Sequence, residues 1–152
     1  MADQLEQIRE HAQSFLDPGE QLVAALTASP RGRQTAVAAG GVGSMIGYKV
    51  AGNQAKHAQA VGLVVKPNMA LVLTGRRLLT LDVAISIGGA ITGVEQVLSA
   101  IPVGDVEYVE AKRFGLAGVL TLLVRGGKPV KLECRVGRAR EFVDAFNLAA
   151  AA

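Results

Sequence analysis

Few side chains in this 152-residue chain could carry chemistry, and the first test is whether any are spaced to cooperate. The two histidines, His11 and His57, have no Cys, His or carboxylate at metal-ligand spacing, and His57 sits in a polar Gln-Ala-Lys-His-Ala-Gln context. The one cysteine, Cys134, falls on the apolar side of an alternating run with no base nominated beside it. It reads as an inert core residue rather than a nucleophile. Gly41-Val42-Gly43-Ser44-Met45-Ile46-Gly47 invites comparison with the dinucleotide fingerprint G-x-G-x-x-G. Ile46 stands where the third glycine is needed, and no βαβ unit follows. Asp105, Glu107 and Glu110 lie along one segment as solvated carboxylates. The chain therefore nominates no catalytic set, no metal and no cofactor, and the expectation is a protein that is not an enzyme.

Two groups of residues remain. Small residues recur every four positions at Ala39, Gly43, Gly47, Ala51 and Ala55, within a Gly/Ala-rich stretch from 34 to 60. On a helix that spacing makes one smooth ridge that another helix could approach closely. Each interior glycine costs about 1 kcal/mol of helix propensity relative to alanine, so such a helix needs a partner; a Gly/Ala-rich loop is the alternative. The second group is basic: Arg31 and Arg33 in one turn, Arg76 and Arg77 in another, suited by type to anionic groups. From Lys112 to Arg140 there are eight basic residues and one acidic, but they fall at successive turns and form no single patch.

Composition narrows the class. Half the residues are apolar, which excludes a disordered chain, and the length fits one domain with a real core. Aromatics make up 4 % and Trp is absent, so a stacking platform for single-stranded nucleic acid is disfavoured. One cysteine excludes a disulfide framework and fits a reducing compartment. The N-terminus lacks a signal-peptide pattern, and no uncharged run reaches the roughly 18–20 residues of a membrane span. A cytoplasmic protein is the expectation.

The elements that must position these residues follow from periodicity. Leu5, Ile8, Ala12, Phe15 and Leu16 mark a helix over 3–16, with Asp3 and Glu6 as a capping box; Asp17-Pro18-Gly19 ends it. Strands are predicted over Gln21–Ala28, broken at Ser29-Pro30, and over Val61–Val65. Met69–Val83 reads as two buried strands joined tightly at Thr74-Gly75-Arg76-Arg77. Ile85–Gly93 reads as a wide connection, and Gln96–Ile101 as a short strand. Val106–Ala111, Ala117–Val124 and Val130–Val136 follow, with Lys112–Gly115 and Gly126-Gly127 as turns. Arg138–Ala149 is a helix with an Ala139, Phe142, Val143 and Phe146 stripe. Short antiparallel strands followed by a helix make an α+β, mainly β, protein.

Val72-Leu73-Thr74-Gly75-Arg76-Arg77-Leu78-Leu79, then Ser99-Ala100-Ile101-Pro102-Val103-Gly104-Asp105-Val106, resembles the bacterial pleckstrin-homology-like (PH-like, GRAM-related) families, as does the closing Arg-Glu-Phe-Val-Asp-Ala-Phe helix. There a strand ends in Thr-Asp-Arg-Arg or similar, and a later one closes on a small-apolar-Pro segment ending in Asp-Ile or Asp-Val. The resemblance covers residues 20–28 and 61–149. It implies a bent antiparallel barrel of about seven strands capped by the C-terminal helix. The domain would then run from 20 to 149, preceded by an N-terminal helix over 1–19 and carrying the small-residue insert at 34–60. Gly75 departs from the usual Asp. The insert occupies the loop where lipid-binding members of the superfamily often carry basic ligand residues, so no phosphoinositide specificity carries over.

The functional expectation is a non-catalytic binding or scaffold module. It would self-associate or meet a protein partner through Ala39, Gly43, Gly47 and Ala51. The alternative is a peripheral module on an anionic membrane surface, at the inner membrane face, through Arg31, Arg33, Arg76 and Arg77.

Overall fold

In a computed structural model the described residues are 4–30, 41–87, 90–114 and 117–151. In order they form helix α1 (Gln4–Ala12), a 3-10 turn (Gln13–Phe15), β1 (Leu22–Pro30), α2 (Gly41–Ala60), β2 (Met69–Thr74), β3 (Arg77–Ile85) and β4 (Ile91–Pro102). After a 3-10 turn (Val103–Asp105) come β5 (Val106–Phe114), β6 (Ala117–Val124), β7 (Val130–Cys134) and α3 (Val136–Ala151). The seven strands form an antiparallel sheet in the order β4-β3-β2-β1-β7-β6-β5. β1 links its two halves, pairing with β2 along most of its length and with β7 only at Ser29 and Pro30. That limited pairing lets the sheet bend, and the chain turns the opposite corner between β4 and β5 at Val103–Asp105, where Val103 N–H bonds Arg76 O at 2.9 Å.

The bend creates two apolar cores on opposite faces. Inside it, Leu26, Met69, Leu71, Leu73, Leu78, Leu120, Leu122 and Leu132 pack with Ala139, Phe142 and Phe146 of α3. Outside, Ile8 and Ala12 of α1 pack on Leu22, Ala25, Ala70, Val72, Leu79 and Leu81. β2 is buried at every position because it is covered on both faces. An unbroken apolar run, rather than an alternating one, is what such a strand requires.

Several sequence expectations need correction. Val61–Val65 is not a strand: a turn leads into an extended connection whose Leu63 and Val65 plug the inner core, and Val64 N–H bonds the Ser99 side chain at 3.0 Å. A short apolar run looks the same whether it pairs in a ladder or merely fills space. Ile85–Gly93 is not a wide connection; it is a hairpin closed by Ser86 N–H to Ala90 O at 2.8 Å, with Gly93 inside β4 opposite Ala84. β4 and β3 tolerate that glycine because their register shifts there, as at a bulge. β1 does not stop at Ala28, since Ser29 and Pro30 pair with β7. β5 runs on through Lys112 to Phe114 rather than turning there, and Val136 opens α3 instead of ending β7. The C-terminal stripe stands as read: Ala139, Phe142 and Phe146 are buried, with Val143 packed beside them.

Residues 41–60 are a helix and not a loop. It ends in a Schellman motif: Leu63 N–H bonds Ala58 O at 2.9 Å, Gly62 N–H bonds Gln59 O at 3.1 Å, and Gly62 has φ +84°. Leu63 and Ala58 meet in the inner core, supplying the apolar contact that accompanies this cap. Beyond the end of β1, Gln54 Oε1 accepts the Lys131 N–H of β7 at 2.8 Å. The last turns of α2 thus find their partner in the barrel itself.

Candidate functional site

Among the described residues, the β2–β3 hairpin holds the densest polar constellation. Arg77 grips Glu20 with a two-pronged fork, Nε to Oε2 at 2.9 Å and Nη2 to Oε1 at 2.6 Å. Glu20 also accepts Thr74 Oγ1–H at 2.8 Å and Asp17 N–H at 3.0 Å. Thr74 Oγ1 in turn accepts the N–H groups of Arg76 at 3.1 Å and Arg77 at 2.9 Å, which tightens the turn. The Glu20 side chain is 0 % exposed and that of Arg77 is 27 % exposed. Hydrogen bonds from Arg77 hold the Glu20 carboxyl down at about 2 against the upward push of burial, with Asp17 N–H and Thr74 helping. Glu20 in turn raises Arg77. Asp17 Oδ2 lies 3.8 Å from the same guanidinium.

This places the four arginines differently. Arg77 is engaged by Glu20, Arg76 is exposed at the turn, and Arg31 and Arg33 lie outside the described residues. Of the small-residue ridge, Gly43, Gly47 and Ala51 lie on α2 and Ala39 lies outside the described residues. Ala55, the next position of the same ridge, packs against the inner core.

Glu20 went unnoticed in the sequence. A glutamate 57 positions from its arginine leaves no local signal, and only the folded sheet brings the two together. Gly62 could have been found, because Ala-Val-Gly-Leu after a helical stretch is a C-cap signature.

The remaining reactive groups are quiet. Cys134 is buried and free, and burial, with Glu133 beside it, pushes its thiol up to about 11, so it stays protonated. His57 is half-buried, with Nδ1 lacking a hydrogen-bond partner among the described residues. Among the described residues no group of three His, Cys, Asp or Glu could hold a metal ion. A cavity of about 370 Å³ opens at the β4–β5 corner, lined by Val61, Gly62, Ile101, Asp105, Val124 and Arg125. Arg125 there turns back to Gly104 O at 3.1 Å.

Two solved structures superpose over essentially the whole chain. One is the pleckstrin homology domain from Shewanella amazonensis SB2B, 15 % identical, covering 99 % of this chain and 100 % of that one with a TM-score of 0.50. The fold is that of a pleckstrin-homology domain. The other is a DUF1696 family protein with a pleckstrin-homology domain from Shewanella loihica PV-4, also 15 % identical, covering 98 % of this chain and 94 % of that one with a TM-score of 0.50. No protein-family model and no curated protein matches the chain. The likeness reaches from end to end, so in this PH fold α1 and α2 lie within the aligned span. At this identity it speaks for the fold and for nothing finer.

Proposed function

We propose that the chain is a non-catalytic PH-fold module that works by contact with another protein chain, a second copy of itself in the first instance, through the small-residue face of α2. The observation that supports this is how α2 is held. Gln54, Ala55 and Ala58 fasten its last two turns to the barrel, and the same face continues at helical spacing through Ala51, Gly47 and Gly43. A helix of 20 residues is about 30 Å long, well beyond those two turns. Glycines at four-residue spacing weaken a helix standing alone but let a second backbone come close. A partner helix offsets their cost.

The test is a pair of substitutions. Gly43→Leu and Gly47→Leu put a bulky side chain on the ridge without touching Gln54, Ala55 or Ala58. The expected result is an assembly for the parent chain in analytical ultracentrifugation and a shift of both variants toward monomer, with unchanged circular dichroism. An assembly that survives both, or a monomeric parent chain, rejects the ridge as the self-contact.

A further inference from the structure

Among the described residues, the buried side chains of α1 belong to the outer core. Ile8 and Ala12 are fully buried on the outer sheet face, Leu5 and Leu16 pack at its margin, and no α1 residue belongs to the inner core that α3 and the plug at Leu63 complete. At nine residues α1 is shorter than the roughly 12–15 that an isolated helix needs in water, so off the sheet it has nothing to hold it. A hydrogen bond to the barrel runs through Gln7, whose Oε1 accepts Ile91 N–H at 3.0 Å.

The turn that follows is held differently. Asp17 N–H bonds the buried Glu20 carboxylate and Glu20 N–H bonds Asp17 O, both at 3.0 Å. That carboxylate is locked to Arg77 and Thr74 of the central hairpin. Residues 17–20, although three of the four are exposed, are thereby tied to the barrel and not to the helix before them. Between the helix and this clasp lie Gln13–Leu16, a single 3-10 turn with exposed Gln13 and Ser14 and one 3.3 Å hydrogen bond from Leu16 N–H to Gln13 O.

We infer that α1 is a strap that opens as a unit about a hinge at Gln13–Leu16, baring the apolar outer face while the barrel, up to and including Asp17, stays folded. The inference differs from ordinary end-fraying in where the boundary falls. Fraying loosens progressively with distance from the core, whereas the clasp makes a step between Leu16 and Asp17. The face uncovered carries Leu22, Ala25, Ala70, Val72, Leu79 and Leu81, and the strap is its own occupant.

Amide hydrogen exchange on the full chain, followed residue by residue by NMR with small additions of denaturant, tests this. Ile8 to Ala12 and Ile91 are expected to exchange together, at least about tenfold faster than Leu120 and Leu122 and with one shared denaturant dependence, smaller than that of Leu120 and Leu122, as a partial opening that bares one face should. Asp17 should instead exchange at least about tenfold more slowly than α1 despite its exposed position. Ile8→Ala should speed α1 and Ile91 while leaving the ratio of Asp17 to Leu120 exchange as it was. Arg77→Gln should release Asp17 into the α1 class, measured relative to Leu120 so that any general loss of stability cancels. If Asp17 exchanges with α1 in the parent chain, the hinge is misplaced and the inference fails. If α1, Asp17 and Leu120 all exchange through one opening, there is no strap.

Discussion

Glu20 is a buried carboxylate held ionised by Arg77, and it makes a pH prediction with a definite sign. Its carboxyl falls from an ordinary value of 4.5 in the unfolded chain to about 2 in the folded one. A lowered folded value means stability that is complete above about pH 4.5 and is lost as pH falls from there toward about 2. The shift, the balance of a strong ion pair against burial, corresponds to roughly 3 kcal/mol. Urea unfolding at a series of pH values should show the parent chain losing stability more steeply below pH 4.5 than Glu20→Gln, by about one proton's slope. Parallel curves would mean that the fork to Arg77 is absent in solution. Two glycines give a contrasting pair. A Cβ on Gly127 would overlap the Val61 side chain, so Gly127→Ala forces Val61 or the β6–β7 turn to shift, at a cost of about 1–3 kcal/mol. Gly75 stands where the PH-like resemblance leads one to expect Asp. It has open space and no positive φ, so Gly75→Ala should be neutral or stabilise by up to about 1 kcal/mol. Thermal melts of the two variants should separate.

At the level of elements, what was legible in the sequence was whatever carried its own period. The α3 stripe and the tight hairpin at Thr74–Arg77 are found as read, and so is the inward side of the β7 alternation at Val130, Leu132 and Cys134, short of Val136; each encodes a face directly. Glu133, on the other side of that alternation, is buried too, because β1 reaches across to pair Ser29 with it. Such a pairing spans about a hundred positions of sequence and has no local trace. Val61–Val65 failed for the related reason that burial and strand pairing leave the same apolar signature. α2 was half legible: its small-residue spacing was plain, but propensity argued against a helix, and the terms that rescue it are tertiary. These are the Gln54 bond to β7, the packing of Ala55 and Ala58, and the Gly62 cap. The cap yields the prediction that belongs here. Gly62→Ala meets no steric obstacle but must hold φ +84°, so it should cost about 1 kcal/mol through backbone strain alone. A lowered midpoint of unfolding with the circular dichroism of the folded state unchanged would fit; a stabilised variant would show that the helix does not end there.

For the whole molecule, the question is whether a PH fold with a formal charge of +3 meets a membrane or a protein. No helix among the described residues is long and apolar enough to cross a bilayer. Surface attachment generally takes two signals, an apolar insertion and a basic patch. On the basic side, Arg77 is already bound bidentately to Glu20, and freeing its guanidinium would strand a buried carboxylate. On the apolar side, the Gly and Ala of the α2 ridge bring little transfer energy, each well below the roughly 1.5–3 kcal/mol of a Leu or Ile. The protein-contact reading therefore predicts the same pelleted fraction with anionic and with neutral vesicles at moderate salt, in co-sedimentation of the full chain. Arg77→Gln should not change that fraction. An anionic-selective pellet that disappears on adding salt, and that Arg76→Glu abolishes, would carry the opposite conclusion. It would make the exposed Arg76 the contact, and it would mean that this barrel works at a charged surface, with the α2 ridge serving attachment rather than assembly.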